Sequence, residues 1–163
     1  MRASRLPAGL SLGQPATLVA TVGGVGLLPW APGTWGSLVA LPLGWLIDSL
    51  FGPAAFAFAI ALVVAAGWWA SAEVTRRGGE ADPSCIVVDE VAGQLVALAA
   101  VPADPLYYAL AFLGFRVLDV LKPWPIRWAD REVKGGLGVM LDDLLAGAAV
   151  ALAFVAYRSV AAG

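Results

Sequence analysis

Five apolar runs, at about residues 36–51, 54–75, 86–101, 105–121 and 139–160, occupy most of the chain and are punctuated by Pro and Gly. A membrane span needs roughly 20 apolar residues, so the second and fifth runs are long enough to cross a bilayer. The first, third and fourth are expected to be tilted, half-embedded or buried inside a bundle. With 60% hydrophobic and only 13% charged residues among 163, the chain reads as a membrane protein. The expected fold is all-α: one compact bundle of about five apolar helices, membrane-embedded or membrane-associated. A soluble helical bundle is the bland alternative. No repeat, composition shift or low-complexity tract divides residues 1–163, which are expected to form a single domain with residues 1–28 as a lead-in. That lead-in has two Arg but neither a sustained apolar core nor a convincing cleavage site, so it is read as cytosolic rather than as a signal peptide.

The few charges are unevenly placed. If the N-terminus is cytoplasmic, the inside-facing pieces hold Arg2, Arg5, Arg76, Arg77, Lys122, Arg127, Arg131 and Lys134, whereas the outside turns near Gly52 and Pro102–Pro105 hold no Lys or Arg. Only Arg158 falls on the other side, an asymmetry that follows the positive-inside rule. The same topology gathers PGTWGS (32–37), Asp89 and Glu90, then Arg116, Asp119 and Lys122, and finally Asp142 and Asp143, at one end of their segments. An ionisable residue in a membrane segment costs a few kcal/mol and is by default a functional hypothesis. Polar groups converging on one layer suit a site at a membrane surface.

Each cluster also has an ordinary structural explanation. Paired carboxylates at a helix start complement the macrodipole, Arg116 and Asp119 at i, i+3 can form an intrahelical ion pair, and Thr34 or Ser37 can act as an N-cap. Trp30, Trp35, Trp124 and Trp128 suit an interfacial belt, and Gly93 and Gly147 suit close helix packing. Taken together, however, several carboxylates beside two cations form a hard-oxygen set for Mg²⁺ with phosphate grips next to it. The combination points to metal-assisted phosphoryl chemistry.

Absences narrow the mechanism. Without histidine there is no phosphohistidine route; Val91, six residues after the single Cys85, is not Arg, so a cysteine-phosphatase loop is missing; and no Asp-x-Asp pair occurs. An activated water and an Asp nucleophile both remain open. One cysteine allows no internal disulfide, and a net charge of −2 without a basic tail gives no sign of nucleic acid. Two rivals fit less well. A membrane phosphatidyl-group transferase would need Asp residues spaced on consecutive helical turns, and a carboxylate-based small transporter would hold its acids near the bilayer midplane.

Four stretches, PGTWGS (32–37), VVDEVAGQ (87–94), FRVLDVLKPWPIRWAD (115–130) and KGGLGVMLDDLLAG (134–147), together resemble the phosphatidylglycerophosphatase A family. The resemblance implies an all-helical fold and a Mg²⁺-dependent phosphomonoesterase of phospholipid biosynthesis. Such an enzyme converts phosphatidylglycerophosphate to phosphatidylglycerol and phosphate at the cytoplasmic face of a bacterial inner membrane. Carried over by motif, Asp89, Glu90, Asp142 and Asp143 are the expected metal ligands or their supporting shell. Asp119 is a further ligand or general base, Asp143 the more sensitive of its pair, and Arg116 and Lys122 phosphate grips with Lys122 counted in the catalytic set. Thr34 is an expected phosphate contact at its helix start. The expected partners are the lipid substrate and the bilayer, with oligomeric state open.

Overall fold

The computed structural model describes residues 5–81 and 83–161, so Arg2 of the charge pattern lies outside the described residues. Six α-helices form the structure: α1 (Pro15–Ala20), α2 (Pro32–Gly78), α3 (Val88–Leu98), α4 (Pro105–Leu121), α5 (Ile126–Glu132) and α6 (Gly135–Ala161), with a 3₁₀ turn at Val25–Leu27. No strand occurs among the described residues.

The first two apolar runs are one helical element that doubles back. Gly52 adopts φ 78 and ψ 179, outside the helical region, and Pro53 opens the second leg. Gly36 packs on Val87 and Gly67 on Val88, the adjacent residue of α3. On a straight helix those two glycines would be about 46 Å apart, so the legs 32–51 and 53–78 must run back alongside each other. Left-handed Gly79 ends the second leg, its N–H bonded to the Thr75 carbonyl at 3.1 Å. In α4 the start is written locally: the Asp104 carboxylate accepts from the N–H groups of Leu106 (2.9 Å) and Tyr107 (3.3 Å), with Pro105 at the first helical position.

The third run is not a span. Its helix, α3, has 11 residues, of which nine are buried, and it packs against α2, α4 and α6 as the central strut. One apolar cluster, including Phe56, Leu95, Leu98, Tyr108, Phe115 and Val150, fills one side of α3. A second, with Ala70, Val74, Ile86, Val88, Ala92 and Met140, fills the other. The stretch expected to be a lead-in also joins the bundle: Thr17 and Ala20 of α1 are buried, and the Ala20 carbonyl accepts from Val87 N–H at 2.9 Å.

By length and composition α2 and α6 can each cross a membrane. The outward faces fit that reading. Leu106, Leu110, Leu113, Val117 and Val120 form an exposed stripe at three- and four-residue spacing on α4. Leu50, Phe51, Phe58 and Leu62 on α2 and Leu152 and Val155 on α6 are exposed as well. Apolar surface on this scale is what lipid, rather than water, would cover. Trp30, Trp35, Trp124 and Trp128 are all exposed, as an interfacial belt requires.

Candidate active site

Helices α3 and α6 approach each other more closely than side chains would permit. A Cβ on Gly93 would collide with the Asp143 carbonyl and the Phe115 ring, and one on Gly147 would collide with the Gly93 carbonyl. This glycine contact brings Asp143 of α6 against the first turn of α3, where Asp89 and Glu90 stand. One carboxylate oxygen from each of Asp89, Glu90 and Asp143 lies within 4.8 Å of the other two. From the third side Gly33 of α2 leaves room for the Glu90 carboxylate, which any side chain at 33 would displace.

Burial makes this trio costly. Asp89 is 8% exposed and Asp143 3%, and neither Glu90 Oε2 nor Asp143 Oδ1 has a hydrogen-bond partner among the described residues. Buried, unpaired carboxylate oxygens cost several kcal/mol unless a counter-charge meets them. In the metal-free protein burial pushes Glu90 well above the ordinary carboxylate range, with the charges of Asp89, Asp143 and Asp119 pushing the same way. The donor set is all carboxylate oxygen, mutually close and short of positive charge, and it therefore fits a hard divalent cation.

The remaining polar groups surround the trio in a cavity of about 340 Å³ at one end of the bundle. Arg116 binds Asp119 at 2.6 Å and donates to the Ser37 hydroxyl at 3.3 Å, while Ser37 donates to the Gly33 carbonyl at 3.0 Å. The i, i+3 ion pair read from the sequence therefore forms, inside the site. Lys122 caps the end of α4 in a left-handed conformation, φ 44. Its ammonium meets Asp130 at 2.5 Å and Asp142 at 2.6 Å. Burial would lower the Lys122 pKa, but the bonds to Asp130 and Asp142 outweigh it and hold the ammonium above its usual value.

The expected residues thus divide. Asp89, Glu90 and Asp143 meet; Asp119 and Arg116 form one neighbouring pair; Asp142 faces Lys122 rather than joining the trio, because successive helical residues point about 100° apart. Asp142 and Asp143 are also well inside α6, which begins at Gly135 and has no acid in its first turn, so helix-start electrostatics do not explain them. Asp89 and Glu90 do stand in the first turn of α3. Thr34 is half-buried in the first turn of α2, and its N–H is bonded to the Ala31 carbonyl at 2.9 Å. Pro32 and Gly33, not Thr34, line the cavity, and neither Thr34 nor Ser37 is the N-cap, which is Ala31. Asp130 and Lys134 line it too without having been singled out from the sequence. Asp130 lies on α5, separate from the helix that Lys122 ends, so helical spacing carries no trace of their contact. Lys134 stood out only as one of the inside-facing charges.

The family model described as Phosphatidylglycerophosphatase A matches residues 18–158. The chain is 39% identical over 139 residues to "Phosphatidylglycerophosphatase A" of Escherichia coli (strain K12), covering 85% of this chain and 80% of the relative. It is 41% identical over 138 residues to the protein of the same name from Haemophilus influenzae, with 84% and 85% covered. A Bacteroides thetaiotaomicron relative named "Putative phosphatidylinositol-3-phosphatase" is 39% identical over 137 residues, covering 80% of this chain and 85% of the relative. No solved structure matches the chain.

Proposed function

Because the chain belongs to the phosphatidylglycerophosphatase A family and is a lipid phosphatase, we propose that it hydrolyses the terminal phosphomonoester of phosphatidylglycerophosphate. The products are phosphatidylglycerol and inorganic phosphate, the reaction depends on Mg²⁺, and it takes place at the cytoplasmic face of a bacterial inner membrane. The observation that carries this reading is the close trio of Asp89, Glu90 and Asp143, with two buried oxygens that lack a partner among the described residues, beside two cations. The polar end of a bundle whose sides are apolar suits a substrate whose phosphate stays at the headgroup level while its chains remain in lipid.

Asp89, Glu90 and Asp143 would hold the divalent cation. When bound, it neutralises phosphoryl charge as a Lewis acid. Arg116, oriented by Ser37 and Asp119, grips a non-bridging phosphate oxygen, and Lys122, oriented by Asp130 and Asp142, grips another. Asp119 accepts the proton of the attacking water. A new bond forms from the water oxygen to phosphorus as the bond from phosphorus to the glycerol oxygen breaks; that oxygen takes a proton from solvent to become the free hydroxyl of phosphatidylglycerol, and Asp119 returns its own proton to solvent. Asp142 acts through Lys122.

Phosphate release by the purified protein, assayed on phosphatidylglycerophosphate, phosphatidic acid and phosphatidylinositol 3-phosphate, tests the reading. The expected result is clear preference for the first. Preference for the inositol lipid would move the substrate to that of the Bacteroides relative's name, and no release from any would favour the transferase or transporter.

A further inference from the structure

Three cationic side chains line the cavity among the described residues: Arg116, Lys122 and Lys134. The first two are committed inside the protein, to Asp119 and to Asp130 and Asp142 respectively. Lys134 is exposed and belongs to none of the ion pairs between described residues. It is nevertheless not on a loose loop. Val133, which caps α5, is on one side and Gly135, at φ 72, on the other. A Cβ on Gly138 would strike the Val133 carbonyl, and one on Gly136 would strike the Ala72 backbone, so the turn is pressed against α2 and against the start of α6. A long cationic side chain is thus anchored by rigid backbone where the cavity wall meets solvent, whereas the carboxylate trio is deep inside.

Phosphatidylglycerophosphate carries two anionic groups: the terminal monoester and, one glycerol away, the phosphodiester leading to the acyl chains. With the monoester at the buried trio and Arg116, the diester is left toward the cavity mouth. We propose that Lys134 binds this phosphodiester and so selects for the lipid headgroup, taking no part in bond cleavage; this rests on the substrate reading above. Arg116 and Lys122 are held by their carboxylates beside the trio, where the monoester sits, whereas Lys134 is the lining cation that is exposed and in no ion pair among the described residues.

Lys134→Gln and Lys134→Arg, assayed in neutral mixed micelles at low salt, test it. For Lys134→Gln, KM for phosphatidylglycerophosphate should rise about 3- to 10-fold with kcat within about twofold, the pattern of lost uniform binding by one partly exposed charge-assisted contact. Lys134→Arg should restore most of it. Competition by phosphatidylglycerol, which has the diester but no monoester, should weaken by a similar factor, while inhibition by inorganic phosphate should not change. An unchanged KM, or equal weakening of inorganic phosphate inhibition, would overturn the proposal, the latter by placing Lys134 on the monoester. Should the wild type release no phosphate from this lipid, the substrate reading fails instead. Tryptophan-fluorescence titration of both proteins with phosphatidylglycerol then decides the role of Lys134 alone, equal affinities contradicting it.

Discussion

Asp142 and Asp143 are adjacent in sequence, both carry carboxylates and both are less than a tenth exposed, yet replacing each by Asn should change stability in opposite directions. Asp143 Oδ1 has no hydrogen-bond partner among the described residues and Asp143 stands among other acids. In chelator, Asp143→Asn removes a crowded buried charge and supplies an amide N–H that can donate to a neighbouring carboxylate, a bond worth about 1.5–3 kcal/mol. The metal-free variant should therefore be more stable than the wild type by about 1–3 kcal/mol. Asp142→Asn instead breaks the 2.6 Å contact with Lys122, whose side chain is 28% exposed. Because Lys122 keeps Asp130, the loss should be about 1–2 kcal/mol rather than that of a fully orphaned charge. At roughly 2–4 °C per kcal/mol for a chain of this size, the two variants should melt on opposite sides of the wild type in EDTA, separated by about 4 °C or more. Activity should fall by about 100-fold or more for Asp143→Asn, which loses a ligand, and by about 10-fold for Asp142→Asn, which loosens a phosphate grip. Thermal melts and phosphate release on the same preparations check both halves. Equal destabilisation of the two variants in EDTA, or an active Asp143→Asn, would refute the division of roles.

Metal-free protein should lose stability as pH rises. Glu90 is raised in the folded state, so above an ordinary carboxylate pKa of about 4.3 the folded chain binds more protons than the unfolded one and stability declines with pH until Glu90 has ionised. Melting temperature in EDTA should thus fall as pH rises above the ordinary carboxylate range, and saturating Mg²⁺ should flatten or reverse the trend; a rise with pH in EDTA would contradict the charge crowding. Gly93→Ala should cost at least about 2 kcal/mol and about 10-fold or more in activity, since the added carbon meets the Asp143 carbonyl and must push α3 from α6. A near-native melt and turnover for that variant would mean the helices are not held at this spacing. Asp130→Asn should lower activity about 10-fold and bring down the basic limb of the pH–rate profile, because one of the two carboxylates that raise Lys122 is gone; an unmoved limb would remove Asp130 from the site.

How far the sequence could be read differs from element to element. Apolar runs and Pro–Gly punctuation located the legs of α2, α4 and α6, and the reversal near Gly52, because lipid-facing helices must be apolar along their whole length. The third run could not be told from a span by content. It is apolar because α3 is enclosed by other helices, and only its 11-residue length separates it from them. At the site, the charges too costly to be incidental are the ones the fold gathers around one cavity. Gly93 and Gly147, read as packing residues, proved to set the approach of α3 to α6. What each carboxylate faces was not legible, since the split between Asp142 and Asp143 depends on the rotation of α6 against two neighbours. Lys122 was grouped with Arg116 and Asp119 on one helix face, and that spacing gave no sign that its partners would be Asp130 and Asp142 from other helices. Thr34 had the chemistry of a phosphate contact, yet the cavity is bordered by Pro32 and Gly33, where backbone and not a hydroxyl meets Glu90.

Phosphate release from phosphatidylglycerophosphate by the purified wild-type protein, measured in EDTA and then on titration with Mg²⁺, tests the central claim most directly. Asp89, Glu90 and Asp143 should repel a dianionic monoester unless a divalent cation stands between them. Turnover should therefore be abolished in chelator and return with saturable Mg²⁺ dependence. Undiminished release in EDTA would show that the carboxylate trio does not work through a metal and would contradict the account.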